Sequence, residues 1–296
     1  MASLQSRIFK VLLRLINKKG FLGRQLRTGR FNRFDCAEPP SSLFGNVTKI
    51  KQDGQNVFTL EAVGGGSNIH ILYLHGGAYV QRFTLLHWLF LSDLIKATGV
   101  GITAPDYPLA PAYTYKEAFT MVEAVYKQLT TKYDASRLIL MGDSAGGGFA
   151  LALAQKLKKD NVPVPARIIL LSPWLDISLE NPVINSLDPA DPFLGVESLR
   201  QVGKLYAGGT GTDNHLLSPI NGPLTGLGKI AVFAGANEIL VADARKLKEL
   251  ALSQGTDLEY YEYPDMVHAW MLLDFPESKQ AKRQIIDLIK ATDQTR

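Results

Sequence analysis

The chain has 296 residues, 46% hydrophobic and 20% charged, with 32 basic and 28 acidic side chains giving a net charge of +4. That balance belongs to a globular protein able to bury a large core, sized for one α/β domain with insertions or two ordinary domains, and it excludes a disordered chain. No stretch approaches the roughly 18 consecutive apolar residues of a membrane span, so the chain reads as soluble.

Charge is unevenly spread: residues 1–34 hold nine Lys or Arg and no Asp or Glu, which leaves the remainder net acidic. Within this segment Leu4, Ile8, Val11, Leu12, Leu15 and Ile16 recur at helical spacing, with Arg7, Lys10 and Arg14 between them. Packing of that stripe on the protein's own core is the favoured expectation; peripheral membrane contact through residues 1–34 is the alternative. The start lacks the uninterrupted apolar run of roughly 7 to 15 residues and the small-residue cleavage site of a secretory signal. The lone Cys36 cannot form an internal disulfide and has no neighbouring His, so it reads as structural and a cytoplasmic location is expected.

From about residue 45 the sequence alternates strand and helix patterns, which predicts a mainly parallel sheet covered by helices. Strands are expected at 46–51, 57–62, 69–74, 100–104, 137–142, 166–172, 229–235 and 257–263, and helices at 84–97, 115–131, 144–159, 241–254 and 277–292. The nearly continuous apolar runs Ile69–Leu74, Leu138–Met141 and Ile168–Leu171 suit strands buried on both faces. The stretch 179–228, broken by Asn181-Pro182, Asp188-Pro189, Asp191-Pro192 and Gly208-Gly209, is too long for a plain loop and reads as a lid or pocket insertion. The expected organisation is therefore N-terminal cap helices over 1–45, a core over 46–178, the insertion at 179–228 and a second part of the core over 229–296.

Gly142-Asp143-Ser144-Ala145-Gly146 matches G-x-S-x-G at the point where a strand runs into a helix. A nucleophile on such a strained turn needs small neighbours, and the following helix start aims N–H groups at developing negative charge. His75-Gly76-Gly77-Ala78 follows an earlier strand; N–H groups of Gly76, Gly77 and Ala78, with that of Ala145, are candidates for an oxyanion hole. His75 then reads as a loop-organising residue. An acid and a base should follow in chain order, each just past a later strand. Glu238 and His268 fill those places; His70, His87 and His215 do not. Ser144 is thus the expected nucleophile, His268 its general base and Glu238 the orienting carboxylate, with Asp243 and Asp265 as less favoured acids.

These residues, together with Asp106-Tyr107-Pro108-Leu109-Ala110-Pro111, Ser172-Pro173-Trp174-Leu175-Asp176 and Ser218-Pro219, resemble the hormone-sensitive-lipase-like family of α/β-hydrolases from about residue 69 onward. The resemblance implies an α/β-hydrolase fold with an eight-stranded, mainly parallel sheet and a helical cap. It implies hydrolysis of carboxylic esters through an acyl-enzyme, no metal, no organic cofactor and, in many members, a homodimer. The sequence departs from the family in Ala78 for the usual third Gly, Glu238 where Asp is commoner, and Ala269 for the usual Gly after the His. Asp143 looks like a family feature with a structural role.

Less favoured readings are an acyltransferase, amidase or peptidase on the same triad, or a ligand-binding relative without catalysis. A small-molecule ester of short to medium acyl chain is the expected partner. No zinc-finger, Walker A or RNA-binding signature occurs, so no nucleic acid is expected.

Overall fold

The side chains of the five-residue run His70–Leu74 are all buried, as are those of Leu138–Asp143 and Arg167–Leu171, and these segments form the middle of one sheet. The computed structural model describes residues 2–31, 35–62, 64 and 66–294; the expectations made for Met1, Asn32, Arg33 and Phe34 in the basic segment lie outside them. The strands are β1 (Asn46–Gln52), β2 (Gln55–Glu61), β3 (His70–Leu74), β4 (Gly101–Pro105), β5 (Leu138–Asp143), β6 (Arg167–Leu171), β7 (Lys229–Gly235) and β8 (Leu258–Tyr263). All eight fall where the sequence predicts them. Their order is β1-β2-β4-β3-β5-β6-β7-β8. Only the pairings of β1 with β2 and of β2 with β4 are antiparallel. β1 and β2 turn through Asp53 and Gly54, both at positive φ (48° and 80°), the geometry that matches strand twist in a two-residue hairpin.

The helices are α1 (Leu4–Leu15), α2 (Phe21–Thr28), α3 (Leu85–Thr98), α4 (Tyr115–Thr130), α5 (Ala145–Lys159), α6 (Val183–Leu187), α7 (Val196–Ala207), α8 (Val241–Ser253) and α9 (Pro276–Gln294). Strand alternation divides the core in two. Leu72, Leu74, Leu140, Leu170 and Val232 face α4, α5 and α8. Ile71, Tyr73, Met141, Leu171 and Phe233 face α3 and α9 on the other side. Parallel strands joined through helices on both faces bring the carboxyl ends of β3, β5, β6, β7 and β8 to one edge, where a ligand crevice forms.

The structure revises the expectation for the N-terminal stripe. The stripe of Leu4, Ile8, Val11, Leu12, Leu15 and Ile16 does not pack on the core; these six side chains are between 49% and 76% exposed. The opposite, narrower face of α1 docks instead, through Ala2, Ser6, Phe9 and Leu13. Polar and aromatic anchors hold that orientation: Ser3 Oγ donates to Glu277 Oε2 at 2.8 Å, Phe9 meets Phe275 at 5.3 Å, and Lys10 lies 3.8 Å from Asp265. α2 packs on α7 of the 179–228 insertion.

Candidate active site

Ser144 sits at φ 53° and ψ −122°, between the end of β5 and the start of α5. Such a left-handed, non-glycine conformation is strained and marks a site where geometry is imposed by the surroundings. The flanking glycines make the turn possible. A Cβ on Gly142 would stand 2.3 Å from the carbonyl oxygen of Gly146, and one on Gly146 would stand 2.0 Å from that of Leu74. Either would expel the turn. The Ser144 N–H donates to Leu171 O at 2.8 Å, tying the turn to the neighbouring strand.

Ser144 Oγ lies 2.8 Å from His268 Nε2, and His268 Nδ1 lies 2.5 Å from Glu238 Oε2. A carboxylate beside Nδ1 keeps the proton on that nitrogen and leaves Nε2 free to accept from the serine hydroxyl. All three side chains are buried or nearly so. The competing acids lie elsewhere. Asp243 is on α8, where its Oδ1 accepts from Asn181 Nδ2 at 2.9 Å, and Asp265 is exposed beside Lys10. Burial raises the Asp243 pKa to about 6.

Glu238 has further support that the sequence reading missed. Its Oε1 accepts from Ser172 Oγ at 2.8 Å and from the Gly235 N–H at 2.9 Å. Ser172 Oγ in turn accepts the Ala269 N–H at 3.1 Å, so one hydroxyl joins the acid to the backbone just after the imidazole. Ser172 was visible only as a motif residue; nothing local in sequence points it at residue 238. Asp191, from the insertion, was also missed. It is buried and accepts the N–H groups of Phe193, Leu194 and Ile239 at 2.7, 3.0 and 2.8 Å. Burial raises its pKa to about 6, against the lowering effect of those three donors.

On the facing side, Asp143 Oδ1 accepts from Tyr73 Oη at 2.6 Å and from the Gly76 N–H at 2.9 Å. His87 Nδ1 accepts the Thr84 N–H at the start of α3, which leaves Nε2–H directed at Asp143 Oδ1 3.4 Å away. Burial alone would raise the Asp143 pKa; His87, Tyr73 and Gly76 outweigh it and hold the carboxyl below its ordinary range. The expectation for Gly76 is thereby corrected: its N–H is already committed to Asp143 and is not free for a substrate oxygen. The N–H groups of Gly77, Ala78 and Ala145 donate to no acceptor among the described residues. His75 is no base. Burial, then His87, lowers its pKa to about 3, and its ring stacks on Tyr107 at 4.3 Å while Nδ1 meets Gly76 O at 2.7 Å.

A cavity of about 480 Å³ opens onto Ser144 and His268. Its walls are mostly apolar and come from both sides of the sheet edge: Phe21 and Leu22 of α2, Leu86 of α3, Phe193 and Leu199 of the insertion, and Leu272. Lys18 also lines it, its ammonium 4.5 Å from the Phe193 ring centre, and burial, aided by Arg24, lowers its pKa to about 8.

The sheet order, the positions of its crossovers and the serine turn at the end of β5 define an α/β-hydrolase. Comparison with known proteins agrees. The model of a family with the alpha/beta hydrolase fold matches residues 71–272. The chain is 34% identical to an acetyl-hydrolase of Streptomyces hygroscopicus over 68% of this chain and 67% of that protein. It is 31% identical to an esterase of Acinetobacter venetianus over 75% of each. Among solved structures, it is similar to an esterase from the bacterial hormone-sensitive lipase family, with a TM-score of 0.83, 28% identity and coverage of 99% of this chain and 100% of that one. The chain belongs to the hormone-sensitive-lipase-like family of α/β-hydrolases, and it is an ester-hydrolysing serine hydrolase of carboxylesterase or lipase type.

Proposed function

We propose that Ser144 is the nucleophile of this ester hydrolase, with His268 as its general base and Glu238 as the carboxylate that orients and stabilises the imidazolium. The observation that carries the reading is the unbroken chain of hydrogen bonds from Ser144 Oγ through His268 to Glu238. As Oγ attacks the ester carbonyl carbon, His268 Nε2 takes its proton. The carbonyl π pair moves onto oxygen, where the N–H groups of Gly77, Ala78 and Ala145 receive it; each such donor is typically worth about 2.7 to 4 kcal/mol of transition-state stabilisation. Collapse of the tetrahedral species breaks the bond to the alkoxy group, which leaves as the alcohol with the proton from Nε2. Water, deprotonated by the same nitrogen, then attacks the acyl-serine; the acyl–Oγ bond breaks, Nε2 returns the proton to Ser144 Oγ, and the carboxylic acid departs.

The apolar cavity of about 480 Å³ supports short to medium acyl chains. Residues 1–45 and 179–228 are the segments we assign to the cap, because α2, Phe193 and Leu199 supply cavity wall that the sheet and its helices do not. The lone thiol of Cys36 fits a reducing, cytoplasmic setting.

The test is hydrolysis of p-nitrophenyl esters from acetate to palmitate. Turnover is expected to peak at short to medium chains and to be abolished in Ser144→Ala with the circular dichroism spectrum unchanged. Activity retained by a folded Ser144→Ala variant overturns the assignment.

A further inference from the structure

The outer face of α1 has no part in the chemistry above, and it exposes a run of large apolar side chains. Leu4, Ile8, Val11, Leu12 and Leu15 line one side of a twelve-residue helix, with Ile16 at its C-cap, and all six are exposed. Contiguous apolar surface of this kind marks an interaction site. Arg7 and Arg14 stand four residues before and three after Val11, so they run along one edge of the stripe, and both are exposed. Leu85, Leu86 and Leu89 of α3 are further exposed apolar side chains. The two helices border the same stretch: Phe9 of α1 packs on Phe275, and α3 packs on the turn Trp270–Leu272. Leu85, Leu86, Leu272 and Leu273 from this neighbourhood also line the catalytic cavity.

We propose that this face docks on an anionic lipid bilayer, with α1 lying in the plane of the interface and the Leu85–Leu86 rim of the cavity beside it. At twelve residues the helix is far too short to span, since a span needs about 20. An apolar face edged by Arg suits the headgroup boundary instead. Charge decides between a bilayer and a second copy of this chain. Residues 1–34 carry nine basic and no acidic side chains. Lys10 and Lys19 are already paired with Asp265 and Asp188, but a symmetric dimer through α1 would still bring the exposed Arg7 and Arg14 of two copies together with no carboxylate of the helix to offset them. Anionic headgroups supply that countercharge, each basic side chain near such a surface adding to the attraction.

The proposal is independent of the triad assignment and is tested with the full chain by co-sedimentation with vesicles. The wild-type protein is expected to sediment with vesicles of equal parts phosphatidylglycerol and phosphatidylcholine and to remain largely in the supernatant with phosphatidylcholine alone. Leu12→Glu with Leu15→Glu, both on exposed positions, should reduce the bound fraction about tenfold or more, with melting temperature and hydrolysis of soluble p-nitrophenyl butyrate unchanged. The single change Arg7→Glu should weaken binding to the anionic vesicles in the same direction. Equal sedimentation of wild type and double variant, equal binding to both vesicle types, no binding to either, or a wild-type dimer in light scattering that the double variant converts to monomer would each overturn it.

Discussion

Glu238→Asp restores the acid commoner in this family, and the geometry here predicts that it damages the enzyme. The substitution withdraws the carboxylate by one methylene, about 1.5 Å. His268 Nδ1 is 2.5 Å from Oε2, so without compensation the separation grows to roughly 4 Å, beyond any hydrogen bond. The backbone is poorly able to follow, because the Glu238 N–H donates to Gly235 O and the Ile239 N–H to Asp191 Oδ2 at 2.8 Å. The bonds from Ser172 and Gly235 to Oε1 are lost by the same displacement. Complete loss of the orienting carboxylate costs on the order of 10⁴ in kcat in related triads. With the charge retained at a distance, a fall of about 10²-fold, or about 2.7 kcal/mol, is expected. Steady-state hydrolysis of p-nitrophenyl butyrate, with the fold checked by thermal melting, measures it. Activity of Glu238→Asp within about threefold of wild type would refute the claim that this loop holds the acid at fixed reach.

Ser172→Ala removes the donor to Glu238 Oε1 and the acceptor of the Ala269 N–H, and should lower kcat about tenfold with little change in KM; an unchanged kcat in full kinetics removes Ser172 from the positioning of the acid. Asp243→Asn tests the buried acid of α8. Its pKa is raised to about 6 from 3.8, so the ionised form opposes folding; that penalty is absent below about pH 4 and complete above the folded value. The variant should therefore be more stable than wild type at pH 8, by about 1 to 2 kcal/mol once the poorly partnered amide is allowed for, and should lose that advantage and fall below wild type near pH 4, where only the amide's cost remains. Calorimetric melts at the two pH values check this, and a variant that is less stable at pH 8 contradicts it. Asp143→Asn has the opposite sign. Its folded-state pKa is depressed, so its contribution is present above the ordinary carboxylate pKa and is lost as pH falls. The variant should melt lower than wild type at pH 8, with a gap that narrows in acid, and should lose kcat as the Gly76–Gly77–Ala78 loop loses its anchor. A gap independent of pH would show that the charge is not what holds the loop.

Much of the fold was legible because parallel strands buried on both faces write themselves as short, continuous apolar runs, as in Ile69–Leu74 and Ile168–Leu171. The proposed triad was read from chain order, with Ser144, Glu238 and His268 each just past a strand end, and the fold brings these three side chains within hydrogen-bond distance of one another. What stayed hidden depends on contacts distant in sequence. The link from Ser172 to Glu238 spans 66 residues and that from Gly76 to Asp143 spans 67, and no periodicity encodes either. The helices of the insertion, α6 and α7, lie among Pro and Gly signals that read as irregular chain. For α1, the stronger apolar stripe suggested a core contact, but the helix is held by its weaker face, through Ser6, Phe9 and Leu13 and the anchors at Asp265 and Glu277. Amphipathic spacing tells which residues share a face, and not which face meets the protein.

The central claim is that one serine oxygen is made nucleophilic by the imidazole beside it. Incubation with a biotinylated fluorophosphonate followed by peptide mass spectrometry addresses it directly. A single adduct on Ser144 is expected, absent in Ser144→Ala and formed far more slowly in His268→Ala. A folded protein that takes no label, or that is labelled at the same rate without His268, contradicts it.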